Sequence, residues 1–136
     1  MHATLEQLRR FLLRRHGLLG ARRFHGPEGV MQYIRQCGCI QFDPVDVCGK
    51  SHEIQLLARV RGFSHDMLDS LLYDQRRLID FFDKNLCIMP VEDWPCLEHI
   101  RQWYRDNGRS MDQVNQVAPQ VLDTVHAKGH VSADSL

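Results

Sequence analysis

The sequence predicts a mainly α protein with a small β element, and three observations carry that expectation. Apolar residues recur at helical spacing over most of the chain. One stretch, residues 78–89, instead sets apolar pairs around polar positions and ends at Pro90, the pattern of one or two strands. Hydrophobic residues make up 43% and charged residues 25% of 136 positions, the composition of a folded globular chain long enough to bury a core. No apolar run approaches the roughly 20 residues a membrane-spanning helix needs. The start, Met1 to Glu6, lacks the basic residues and apolar run of a secretory signal, so a cytoplasmic protein is expected.

The elements follow in order from their local chemistry. Thr4-Leu5-Glu6-Gln7 has capping-box form, and Leu5, Leu8, Phe11, Leu12 and Leu19 give an apolar stripe, so a first helix is expected over about residues 5–16, stopped by Gly17. Pro27 at a first helical position, Val30, Met31 and Ile34 along one face, and Gly38 at the end mark a second. Residues 39–47 nearly alternate and are interrupted by Pro44, which reads as an extended segment turning into a loop or short helix. A helix over about 51–59 carries Ile54, Leu57 and Ala58, and Ser64 caps another through Met67, Leu68, Leu71 and Leu72. The strand pair of 78–89 would form a wing or small sheet. Trp94 to Tyr104 is helical in pattern and stops near Asn107-Gly108. Val114, Val117, Val121, Leu122 and Val125 then form an amphipathic helix that stops at Lys128-Gly129, with a fresh cap at Ser132.

Charge and cysteine usage narrow the function. The net charge is zero, yet residues 1–35 hold Arg9, Arg10, Arg14, Arg15, Arg22, Arg23 and Arg35 against only Glu6 and Glu28. Such a stretch suits a phosphate backbone through counterion release, and equally suits a solvated helix face. Five cysteines, an odd number in what read as core segments, suit free thiols in a reducing compartment. Cys37-Gly38-Cys39 with Cys48 lacks the paired spacing of a structural zinc site, so no metal is expected. The eight histidines stand in no recognisable nucleophile motif. Phe81, Phe82, Trp94, Trp103 and Tyr104 suit core packing, with Phe82 or a neighbour able to stack on a nucleobase at a strand end.

The segment with chemistry is Gln41-Phe42-Asp43. Residues two apart in an extended segment point the same way, which sets an amide and a carboxylate on one surface with Phe42 behind them. A carboxylate can take a proton from a water and stabilise positive charge on a sugar, while the amide orients that water. The plain structural alternative is that Asp43 caps a helix in which Pro44 takes the first position.

With these segments in place the chain resembles the bacterial interstrand-crosslink-repair DNA glycosylases of the YcaQ and azinomycin-resistance type, a family of tandem winged helix-turn-helix domains. The resemblance rests on the two helices followed by Cys39-Ile40-Gln41-Phe42-Asp43 and Pro44-Val45-Asp46-Val47, then on residues 54–59, 67–72 and 78–90. The family signature is glutamine, an apolar residue, then glutamine or aspartate, and this chain has the aspartate version. The resemblance implies Asp43 as the base that activates water, Gln41 as the residue that positions it, double-stranded DNA with alkylated or crosslinked bases as the partner, and no cofactor. Arg9, Arg10, Arg14, Arg15, Arg22, Arg23 and Lys50 are then candidates for phosphate contact, Lys50 standing where many members have an arginine. The stretch Asp80 to Asn85 lacks the tryptophan and histidine often found there. Because family members are considerably longer, the chain is expected to be an N-terminal piece; a monomer is expected. Its winged-helix-like domain would cover about 1–107, and a second would begin at 108 and be cut short. The rival reading is a non-catalytic DNA-binding module, regulator-like, in which Asp43 only caps a helix and the arginines bind DNA.

Overall fold

The computed structural model describes residues 2–133, in which the chain forms two compact units, Met1–Glu98 and His99–Leu136. Helices dominate both, and the strands lie in the first. The mainly α architecture with a small β element is therefore as the sequence predicts.

In the first unit, α1 (Leu5–Arg15) begins with the expected reciprocal cap: the Gln7 N–H donates to Thr4 Oγ1 at 3.2 Å, and the Thr4 N–H donates to Gln7 Oε1 at 2.8 Å. None of its residues is buried, and Leu5, Leu8, Phe11 and Leu12 all face solvent. A two-residue strand, β1 (Phe24–His25), leads into α2 (Gly26–Cys37), whose Val30, Met31, Tyr33 and Ile34 are buried. This helix starts with Pro27 in its first turn and stops at Gly38, whose φ of 85° only glycine adopts readily.

β2 (Ile40–Gln41) follows, then an irregular run to α3 (Ser51–Leu57). β3 (Val60–Arg61) pairs in parallel with β1, Phe24 opposite Val60. α4 (His65–Asp69) continues into a π-helical turn, Ser70–Asp74, and the hairpin β4 (Leu78–Phe82) and β5 (Leu86–Pro90) comes next. The second sheet has the order β2-β5-β4, antiparallel throughout. Its inner face supplies Ile40, Leu78 and Ile88 to a core completed by α2, Leu56, Val60, Leu68 and Leu71.

Several expectations are corrected. In α3 the buried residues are His52 and Leu56, whereas Ile54 and Leu57 are exposed, because a seven-residue helix is oriented by what it packs on rather than by its own stripe. The helix expected from Trp94 divides into a 3-10 segment, Val91–Leu97, and α5 (Glu98–Asn107), since Pro95 has no N–H to continue an α-helical ladder. Phe82, Trp94, Trp103 and Tyr104 are exposed rather than core. Cys48 and Cys96 are also exposed, while Cys87 is buried, and all five thiols are free.

In the second unit α6 (Met111–Lys128) ends at Gly129, with Pro119 in its interior. The further helix expected after Ser132 would run into residues 134–136, outside the described residues. No helix among the described residues is long and apolar enough to cross a membrane.

Candidate active site

Gln41 lies opposite Cys87, and the Phe42 N–H donates to the Leu86 carbonyl at 2.8 Å, so the extended backbone runs one residue past β2. Ile40 is buried and Phe42 packs against the core, while Gln41 between them is exposed and Asp43 is half-buried. The alternation expected of an extended segment is thus present: Phe42 turns inward, and its neighbours on either side do not. Asp43 Oδ1 accepts the Val45 N–H at 3.0 Å, an Asx-turn that spans Pro44. No helix begins at Pro44; the next one starts at Ser51. The helix-cap alternative for Asp43 is therefore not the arrangement adopted, and its carboxylate keeps acceptor capacity beyond the one turn hydrogen bond.

Behind the motif, the Phe42 ring stacks on the imidazole of His52, centroids 4.7 Å apart and planes 18° from parallel. His52 is only 2% exposed. Burial pushes its imidazole below the usual histidine range, against the opposing pull of Glu53 and, more weakly, Asp43. Glu53 Oε1 collects three cationic or titratable neighbours: His65 Nδ1 at 3.0 Å, His52 Nε2 at 3.9 Å and Lys50 Nζ at 3.9 Å. His65 Nε2 is in turn 3.0 Å from Asp69 Oδ2. Sequence reasoning missed this cluster. The signal was the run Lys50-Ser51-His52-Glu53 directly after the motif loop, in which position 52 falls one helical turn before Leu56 and so shares its inward face.

The basic candidates separate into two sets. Arg9, Arg10, Arg14, Arg15 and Arg22 are exposed. Arg23 is exposed too but tethered: its Nη2 donates to the Arg15 carbonyl at 2.8 Å and to Gln36 Oε1 at 2.5 Å, and its guanidinium lies 4.7 Å from the Phe24 ring centroid. Lys50 is turned toward Glu53. Arg14, Arg15 and Arg23 line a cleft of about 340 Å³ with Phe11 and Gln36, on the side of the unit formed by the end of α1. Among the described residues no group of three or more His, Cys, Asp or Glu side chains is placed to hold a metal ion.

A family model described as DNA glycosylase AlkZ-like matches residues 34–136, three quarters of the chain. The chain belongs to the AlkZ-like DNA glycosylases. No curated protein and no solved structure matches it. The AlkZ-like match includes Gln41, Asp43, Lys50 and the cluster around Glu53, and leaves Arg9 to Arg23 outside. Membership makes this a DNA repair protein and, at family level, a hydrolase that acts on the bond between base and sugar in DNA.

Proposed function

We propose that this AlkZ-like glycosylase hydrolyses the N-glycosidic bond of N7-alkylated purines in double-stranded DNA, crosslinked purines included, and leaves an abasic site. One observation carries the reading: an amide and a carboxylate flank an inward-turned Phe42 at the end of a strand. An N7-alkylated purine already carries positive charge, so it departs as a neutral base without a general acid. The developing oxocarbenium charge on the sugar is stabilised by the Asp43 carboxylate. Water, oriented by the Gln41 amide, then adds at the sugar carbon and gives its proton to Asp43. No cofactor is required for these steps.

The topology supports a winged helix-turn-helix assignment for this region. Helix, strand, two helices separated by the short β3, and a hairpin follow one another as α2, β2, α3, α4 and β4-β5, with the hairpin strand β5 adding to β2. In that reading the hairpin is the wing. Arg9, Arg10, Arg14, Arg15 and Arg22 would meet phosphates, with Arg23 holding the floor of the cleft and Lys50 acting as a point charge beside the motif. The regulator-like alternative needs a basic helix for the major groove. The segment from Ser64 to Asp74 carries Asp66, Asp69 and Asp74 and no lysine or arginine, which favours the enzyme. We take the working unit to be a monomer.

The test is release of 7-methylguanine from methylated duplex DNA. Asp43→Asn keeps the Asx-turn acceptor and the volume but removes the base, so release should fall by about two orders of magnitude or more while duplex binding stays within about twofold. An Asp43→Asn variant that releases base at the wild-type rate would overturn the assignment.

A further inference from the structure

Among the described polar and charged side chains, His52 is the buried one, and its Nδ1 has no hydrogen-bond partner among the described residues. A phenyl ring would fill the same place against Phe42 and leave no polar atom unpaired, which is the arrangement a purely structural site favours. The imidazole is nonetheless there, face to face with the residue that separates Gln41 from Asp43. Charged and titratable groups act on it from each flanking segment: Lys50 before α3, Glu53 on α3, His65 on α4 and Asp43 on the motif loop.

Taking Gln41 and Asp43 as the catalytic pair, we propose that His52 is their positioning residue: its ring clamps Phe42 and so fixes the backbone from which both side chains project. The clamp has a second consequence through charge. Near pH 7 the buried ring is neutral, because burial disfavours the imidazolium. Protonation at lower pH places a cation beside Asp43 and weakens that carboxylate as a proton acceptor. The acid side of the rate profile therefore carries the titration of His52.

The experiment compares His52→Ala and His52→Phe with the wild type across pH, with thermal unfolding of each to establish folding. His52→Ala should lower kcat about tenfold or more with KM within about twofold, since the ring fixes catalytic geometry rather than DNA contact. His52→Phe, which supplies the ring and cannot charge, should regain most of that loss at pH 8, show an acid limb displaced to lower pH, and unfold at or above the wild-type temperature. An alanine variant as fast as wild type, or a phenylalanine variant with an unmoved acid limb, overturns the proposal. A readout independent of catalysis is the NMR titration of the His52 ring: Asp43→Asn removes a neighbouring anion, so the His52 midpoint should fall. An unmoved midpoint also overturns the proposal. If the wild type releases no base while the midpoint moves, the glycosylase reading fails and the link between His52 and Asp43 is supported.

Discussion

Gln41 is held by its backbone alone, in register with Cys87, and its exposed side chain has little packing to lose. Gln41→Ala should therefore change stability by no more than about 0.5 kcal/mol. Base release should nonetheless fall by about 10- to 100-fold, because the water loses its orienting amide. Parallel urea unfolding and single-turnover kinetics would separate the two effects, and an equal loss in both would refute the role. His52 carries the opposite balance. Its imidazole binds a proton less readily folded than unfolded, so its contribution to stability is present above the unfolded value near 6.5 and is lost as pH falls through and below it. Wild-type stability should decline between pH 7 and 5 more steeply than that of His52→Phe in denaturant titrations. The spacing of Gln41 and Asp43 could be read in the sequence because period two is local. The burial of His52 was legible only indirectly, from its place one helical turn before Leu56, because the ring that covers it, Phe42, lies ten residues away just past β2.

Helix α2 is the organising element, and two features fix how it sits. Its Gly29 lies so close to β1 that a Cβ there would stand 2.7 Å from the Phe24 carbonyl carbon, which is rigid backbone. Gly29→Ala should cost about 1–3 kcal/mol as an overpacking effect, read as a lowered urea midpoint. Its solvent side is tied by ion pairs: Glu28 to both terminal nitrogens of Arg77 at 2.5 and 3.0 Å, and Arg35 to Glu92 at 2.6 Å. The guanidiniums of Arg77 and Arg35 hold the Glu28 and Glu92 carboxyls below the usual carboxylate range. Carboxyls shifted this way add stability above their ordinary value of 4.5 and lose it as pH falls through the lowered one. Both pairs are solvent-exposed, so the effect is small and salt-sensitive. Glu28→Gln should flatten part of the acid-side loss of stability at low ionic strength and make no difference in molar salt. The boundaries of α1, α2, β5 and α6 were legible because Thr4 with Gln7, Pro27, Gly38, Pro90 and Gly129 punctuate the backbone locally. The pair β1 and β3 was not, since two-residue strands carry no periodicity and their parallel pairing depends on a distant partner.

At the scale of the molecule, charge and chemistry are laid out on different parts of the first unit. The exposed arginines stand on and after α1, the acidic and histidine groups gather behind the motif around Glu53, and Gln41 and Asp43 occupy the strand end. A glycosylase that holds DNA chiefly by its backbone should bind with a steep salt dependence, and Arg14→Ala with Arg15→Ala should lower the slope of log affinity against log salt by about 2. An unchanged slope would move the phosphate contacts elsewhere. The shortness of β2 also bears on the order in which the protein assembles. Its two residues find their partner only after α3, α4 and the hairpin have been laid down in the chain, so this pairing closes a long loop for very few hydrogen bonds. During refolding the far-ultraviolet helical signal should return before the ability to release base. In the native protein the Phe42 amide should exchange with deuterium well ahead of the amides in the middle of α2, marking the end of β2 as the last part to lock and the first to open.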